Sequence, residues 1–260
     1  MMISIVLPSR LARMPGRERF FLEDAVRSIR TQTIAAQIGT QIIVGIDAGA
    51  VPPAGLAERL GVLFANADGN SQAAALNAAA ARAEGDHLAI LEDDDAWHPP
   101  FLEIALEALQ QADFVASTQL EVDERGEVRR INDFPTPSGW VMPRTTFQAV
   151  GPFSVAYRWH LDNEWLGRLS TSGLRRVHLV EATAPVDAEI IDQVRPWLGK
   201  VLRNGGPSVS LVRHKHLQPL VVRRVHWNAG TQIIARDEAI KDASRAELTR
   251  LEETYGRMPW

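Results

Sequence analysis

Residues 87–100 read HLAILEDDDAWHPP. The run His87–Leu91 is apolar and short, and four acids follow at once: Glu92, Asp93, Asp94 and Asp95. An apolar run of that length, cut off by charge, has the signature of a strand buried on both faces of a parallel sheet. Pro99 and Pro100 then open PPFLEIALEALQQA, a helical pattern with proline at its start. The unit is strand, acidic turn, helix.

The same unit repeats toward the N-terminus. SQAAALNAAAARAEG (71–85) predicts a helix capped by Ser71 and ended by Gly85, and its alanines imply close packing on a sheet. GVLFAN (61–66) is a strand, and a short helix around Leu56–Leu60 precedes it. QIIVGID (41–47) is a buried strand ending on Asp47. FLEDAVRSI (21–29) is a helix with Glu23 and Asp24 in its first turn. ISIVLP (3–8) is the first strand. The alternation predicts an α/β fold with a mainly parallel sheet and right-handed crossovers. Ligands of such sheets bind beyond the carboxyl ends of the strands. Pro8, Ser9, Arg10, Asp47 and the acidic block all fall at that edge.

Toward the C-terminus the pattern changes. DFVASTQLEVDERGEVRRI (113–131) predicts two extended segments around a turn at 124–126. MPRTTFQAVG is a short helix. HLDNEWLGRL (160–169) is another, which Asp162 is placed to cap, with Trp165, Leu166 and Leu169 on one face. RRVHLVEA is a strand, AEIIDQVRPWLGKVL is helical with an interruption at Pro196, RHKH (213–216) is an exposed face, and PLVVRRVHW is extended. A charged amphipathic helix spans 236–255. The expected organisation is one catalytic domain, 1–205, with a nucleotide-binding half (about 1–112) and an acceptor half (about 113–205) carrying a smaller sheet. A helical C-terminal extension, 206–260, packs on the same domain and is a candidate surface for a homo-oligomer.

The bulk composition excludes several classes. The 260 residues carry a net charge of −4, which gives no reason to expect nucleic acid or an anionic membrane as partner. There is no cysteine, so disulfides, thiolate zinc sites and cysteine nucleophiles are excluded. No apolar run approaches the ~20 residues of a transmembrane helix, and MMISIVLPSR has neither the basic start nor the apolar core of a secretion signal. The expected location is the cytoplasm, including a peripheral position at the inner face of the membrane. No G-x-x-x-x-G-K-[ST] occurs, which removes a P-loop ATPase.

The acids themselves point to a cation. Two unit charges ~4 Å apart interact by roughly 4 kcal/mol at an effective dielectric of 20, so an ionised cluster facing one pocket destabilises the fold unless a cation compensates. Hard oxygen donors suit Mg²⁺ or Mn²⁺, which bind through one or two carboxylates together with phosphate oxygens. The competing interpretation is a set of solvated loop acids and helix caps, with Asp95 capping the following helix.

Taken together, these segments resemble a family 2 glycosyltransferase with the GT-A, Rossmann-like fold. ISIVLPSR resembles that family's opening strand and turn, and FLEDAVRSIRTQT its next helix, with Ser28, Gln32 and Thr33 in place. IIVGIDAGA resembles the strand ending at a nucleoside-binding acid, here Asp47. NADGNSQAAALNAAAARAEGDHLAILEDDDAWHPP resembles its longest motif, which ends D-x-D-D-x-W-x-P. VGPFSVAYRWHLDNEWLGRL resembles its G-x-F segment and acidic helix start, and PLVVRRVHWNAGTQ its late R-x-H segment.

The resemblance implies an inverting, metal-dependent transfer from a nucleotide-diphosphate sugar to a glycan, lipid-linked or small-molecule hydroxyl. It makes Asp94 the ligand of Mn²⁺ or Mg²⁺, with His226 completing the metal shell or touching the diphosphate. Glu92 or Asp93 would contact the ribose or a metal-bound water, and Arg223 and Arg224 the phosphates. Pro8, Ser9, Arg10, Asp47 and Asn77 would line the nucleotide sugar. Asn77 also has a plain structural interpretation as a helix-to-sheet hydrogen bond. Asp162 would be the general base, with Glu164 the second choice. Glu92 stands where the family pattern has Asp, and Leu161 where it has Glu. The alternatives are a sugar-nucleotide nucleotidyltransferase, whose Gly-rich loop LPSRLARMPGRER lacks, and a non-catalytic carbohydrate- or metal-binding protein on the same fold.

Overall fold

A computed structural model describes residues 1–16, 18–185, 187–204 and 208–256. The chain starts with β1 (Met2–Ser9), α1 (Phe21–Arg30), β2 (Gly39–Ile46), α2 (Leu56–Leu60), β3 (Leu63–Asn66), α3 (Gln72–Ala80) and β4 (His87–Ile90). The acidic block leads into a two-residue strand, β5 (Ala96–Trp97), and then α4 (Phe101–Ala108). β1 pairs in parallel with β2 and β4, and β2 with β3, as the alternation requires. Apolar side chains cover both faces of these strands. Ile3, Ile5, Leu7 and Val44 pack under α1 and α4, whereas Val6, Ile43, Leu88 and Ile90 pack on the opposite face. That two-sided burial is why 87–91 carries no polar alternation.

The alanines of α3 have a direct cause. A Cβ on Gly45 of β2 would overlap the Ala75 carbonyl, so the helix backbone rests on the strand itself. Ser71 caps α3 as expected, accepting the Ala74 N–H at 3.1 Å. Gly85 does not end the helix, which stops at Ala80. Its need for glycine is a close approach: a Cβ there would lie 2.6 Å from the Ser4 nitrogen of β1.

The segment 113–131 departs from expectation. It forms three strands, β6 (Phe114–Ser117), β7 (Gln119–Val122) and β8 (Val128–Asn132), with the turn between the last two where the sequence puts it. A break at Thr118 sends β6 into the large sheet and β7 into the small one. There follow β9 (Val141–Pro143), α5 (Arg144–Val150), α6 (Leu161–Thr171), β10 (Arg176–Val180), α7 (Ala188–Val194) and α8 (Pro196–Asn204), the last two separated as Pro196 predicts. β9 is only three residues long, too short to show a period, and lies antiparallel between β4 and β6.

Residues beyond 205 supply β11 (Val209–Arg213), β12 (Val221–Arg224), α9 (Gly230–Arg236) and α10 (Glu238–Tyr255). The sheets run β11-β10-β6-β9-β4-β1-β2-β3 and β5-β12-β7-β8, so this expected extension adds a strand to each. β11 escapes notice in the sequence because an edge strand needs no apolar face. His214, expected on an exposed face, is buried beyond its end. α10 lies against α6: Leu251 is buried, and Tyr255 sits over Gly167 with its hydroxyl donating to the Glu164 carbonyl at 3.3 Å. Among the described residues no helix is long and apolar enough to cross a membrane.

Candidate active site

The carboxyl ends of β1, β2 and β4 meet the small sheet at the acidic block. β4 ends at Ile90 and the chain turns immediately, the Asp95 N–H closing on the Glu92 carbonyl at 3.1 Å. Each acid then finds a different partner. Gln72 donates to the Glu92 carboxylate. Ser9 donates to Asp93 and accepts the Leu11 N–H at 2.9 Å, while Leu11 holds a left-handed φ of 53°, an unusual conformation for a branched side chain. Asp94 meets the His226 Nε2 at 2.9 Å. Asp95 is buried and accepts from the Ser138 hydroxyl at 2.6 Å and the Arg224 N–H at 2.9 Å. It does not cap α4, whose N-cap is Pro100 without any side-chain bond.

Burial, then the charge of Asp94, pushes Glu92 up to about 7, against the pull of Arg223 and Gln72. The same causes push Asp93 up to about 7, and Asp95 well above the usual carboxylate range. The proton equilibria of Glu92, Asp93 and Asp95 are therefore raised together, and a nearby cation would favour their ionised forms. Arg223 supplies part of that charge. Its side chain is 16% exposed, donates to Glu121 at 2.6 Å, and acts on Glu92 and Asp95. Arg130 holds the other Glu121 oxygen at 2.6 Å.

Asp162 belongs to the same electrostatic unit. Its charge adds to the repulsion at Glu92, and Arg223 acts on it as well. Burial raises its pKa above the ordinary carboxylate value, against the Asn163 N–H and His160. It lies inside the first turn of α6 and is not the cap expected; His160 occupies the N-cap position. Asp162 Oδ1 accepts the N–H of the next residue, Asn163, at 2.8 Å.

Two expected site residues point elsewhere. Both carboxylate oxygens of Glu164 are taken by Arg168, at 2.8 and 2.9 Å, and Arg168 also donates to the Pro152 carbonyl at 2.7 Å. Asn77 spends its whole amide on Phe153: it donates to that carbonyl and accepts that N–H, each at 2.8 Å. It fastens α3 to the loop before α6, a structural tie as the plain interpretation has it, but to a loop and not to the sheet. On the nucleotide side, Pro8 pairs with Gly45 at the end of β1, and Arg10 lies 4.0 Å from Asp47, both side chains open to solvent.

The sequence profile described as Glycosyl transferase family 2 matches residues 18–163. The chain belongs to that family. No curated protein sequence matches it. Among solved structures, TarS of S. aureus superposes with a TM-score of 0.58 at 12% identity, covering 97% of this chain and 43% of that one. The TarS 1–349 structure in complex with UDP gives 0.57 at 12% identity, covering 99% and 73%, and the one with UDP-GlcNAc gives 0.54 at 13%, covering 98% and 73%. At these identities the likeness speaks for the fold, a mainly parallel sheet with a second smaller sheet. The chain thus spans less than half of the full TarS chain.

For a family 2 glycosyl transferase, the donor set at Asp94 and His226 fits a hard divalent ion. Among the described residues no three acids or histidines form a complete cage, and a carboxylate with one imidazole leaves positions for phosphate oxygens and water. Sequence inspection missed Ser138, Gln72 and Glu121. Ser138 sits in the turn PSGW, fully buried, where its hydroxyl also accepts the Glu92 N–H at 3.1 Å. A lone serine in a Pro-Gly turn carries no signal of such a role. Glu121 was legible only as one of several acids in 121–127.

Proposed function

We propose that this chain transfers a sugar from a nucleoside diphosphate sugar to a hydroxyl acceptor with inversion at the anomeric carbon. The observation that carries this reading is Arg223. Its half-buried guanidinium, held by Glu121, lies near enough to lower the carboxyl pKa of Glu92, Asp95 and Asp162, so Asp162 and the donor-side acids share one field. The acceptor hydroxyl gives its proton to Asp162 as its oxygen attacks the anomeric carbon. The bond from that carbon to the diphosphate breaks on the opposite face, and the electron pair leaves with the diphosphate. A raised pKa makes Asp162 a better proton acceptor.

Asp94, with His226, would hold Mn²⁺ or Mg²⁺, which neutralises the charge of the departing diphosphate. Arg224 stands beside these groups, its guanidinium donating to the Asp94 carbonyl at 3.2 Å, and is a phosphate partner. Asp47 and Arg10 flank the nucleoside end, and Pro8 and Ser9 shape the turn between them. The UDP and UDP-GlcNAc complexes of TarS make uridine donors the first to try. The acceptor is a glycan, a lipid-linked sugar or a small hydroxyl compound.

The test is a thermal-shift screen of UDP-, GDP- and dTDP-sugars with and without Mn²⁺. A ligand at 100 times its Kd stabilises by about 2.7 kcal/mol. One donor should raise the midpoint only with the metal, and Asp94→Asn should remove that shift. No metal-dependent shift with any donor sinks the reading.

A further inference from the structure

We propose that Glu247, on the C-terminal helix α10, is a positioning residue for the base, an inference that rests on Asp162 holding that role. The backbone N–H groups of Arg158, Trp159 and His160 all donate to the Glu247 carboxylate, at 2.9, 2.9 and 3.0 Å. Glu247 is only 6% exposed, although it lies far along the chain. Consecutive N–H groups converge on one anion only when the backbone is curled around it. The carboxylate therefore fixes the path of the chain into α6.

That path needs fixing from outside. The N-cap residue of α6, His160, makes no side-chain capping bond, so the helix lacks the local device that usually holds a first turn. Asp162 sits in that turn. A second connection runs through side chains: Ser244 Oγ meets His160 Nε2 at 2.8 Å, Asn163 Nδ2 meets His160 Nδ1 at 3.3 Å, and the same amide donates to Asp162 Oδ1 at 3.3 Å. Two residues of α10, one turn apart, thus hold the backbone before Asp162 and reach its carboxylate. Tyr255 over Gly167 sets the register of α10 on α6. The donor-side contacts at Ser9, Asp93, Asp94 and His226 involve none of these groups.

Misplacing a reacting group by about 1 Å costs on the order of 10²-fold in rate. Loss of Glu247 should therefore act on the chemical step and spare donor binding. The experiment compares wild type, Glu247→Ala and Glu247→Gln as full chains. Three readouts are needed: amide hydrogen exchange of the segment 156–166, calorimetric UDP affinity with Mn²⁺, and steady-state release of UDP from UDP-GlcNAc, or of the matching nucleotide from whichever donor the screen selects. Glu247→Ala should speed exchange at residues 158–160 at least tenfold, leave nucleotide affinity and donor KM within about threefold, and lower kcat on the order of 10²-fold. Glu247→Gln keeps the volume and one acceptor oxygen, and should fall between. Unchanged exchange, or a loss carried by donor KM with kcat intact, overturns the proposal. Absence of turnover in the wild type overturns the functional reading and this role with it. Full turnover in a variant whose amides exchange fast overturns the positioning role alone.

Discussion

Ser138 donates a 2.6 Å hydrogen bond to Asp95, joining the turn before β9 to the end of the acidic block. The Glu92 N–H closes on the same hydroxyl. One oxygen thus holds two of the four acids in place, from a residue with no exposed surface. Ser138→Ala removes a donor from a buried carboxylate whose pKa is already raised by burial and by its neighbours. Leaving a buried polar group short of its partner costs about 1–3 kcal/mol. The expected result is a thermal midpoint lowered by about 2–12 °C, together with weaker metal-dependent nucleotide binding. A variant with both quantities unchanged would show that Ser138 is a bystander.

Asp162 and Glu164 are two residues apart, but Arg168 takes both carboxylate oxygens of Glu164 and neither of Asp162. Asp162→Asn should keep the fold and nucleotide affinity while cutting turnover by about 10²–10⁴-fold, the usual contribution of a general base. Glu164→Gln should do the reverse: it loosens the Arg168 ion pair and lowers the thermal midpoint, but retains turnover. The pH profile adds a sign. Asp162 accepts the proton only when ionised, and burial raises its pKa. The acid limb of kcat/KM should therefore lie above the usual carboxylate range, with activity lost as pH falls through it. Glu92 and Asp93 titrate in the same window, so in kinetics from pH 4 to 8 the Asp162 part of the acid limb should vanish in Asp162→Asn and persist in Glu164→Gln.

The chemistry-bearing edge was readable because the residues that form it are local. Ile3–Pro8, Gln41–Asp47 and His87–Leu91 are short apolar runs ending in polar groups, and each became a strand whose carboxyl end faces the site. His226, which the resemblance sets at the metal shell or the diphosphate, lies against Asp94 although the two are far apart in the chain. What escaped were contacts made by tertiary placement. Arg223 and Arg224 differ by one residue in a strand, so they face opposite ways; only the fold shows that Arg223 is held by Glu121 while its charge is felt at Glu92, Asp95 and Asp162. Asn77 and Glu164 looked functional by position, yet both are consumed by neighbours, Phe153 and Arg168. The split of 113–122 between two sheets was hidden because β6 and β7 are both fully buried and only Thr118 separates them.

The contact between α3 and β2 carries its own test. Gly45 has no room for a side chain, because the Ala75 carbonyl occupies the place of a Cβ. Gly45→Ala forces α3 off the sheet or bends β2, and overpacking of a well-packed contact costs about 1–3 kcal/mol or more. The same movement would shift Gln72, at the start of α3, away from Glu92. Denaturant unfolding should show the loss of stability, and nucleotide affinity should fall with it. Ala78→Ser, on a partly buried position of the same helix, should change neither by more than a few tenths of a kcal/mol. Equal stability of Gly45→Ala and wild type would mean that the helix is not seated on the strand as described.

His178 gives a pH dependence unrelated to the site. It lies in the middle of β10 with no exposed surface, and burial, then the nearby Arg195 charge, pushes its imidazole down to about 3. In the unfolded chain the same group titrates near the ordinary value of about 6.5. Between those two values the unfolded state binds a proton that the native state refuses. Stability therefore falls as pH falls, by about 1.4 kcal/mol per unit below pH 6. At pH 4.5 the loss from this one group should reach about 2–3 kcal/mol relative to pH 7. His178→Gln has no such proton to bind. Urea unfolding of both proteins at pH 7, 5.5 and 4.5 should show the wild type losing ground to the variant at each acid step. Parallel stability curves for the two would mean that His178 accepts its proton in the folded protein.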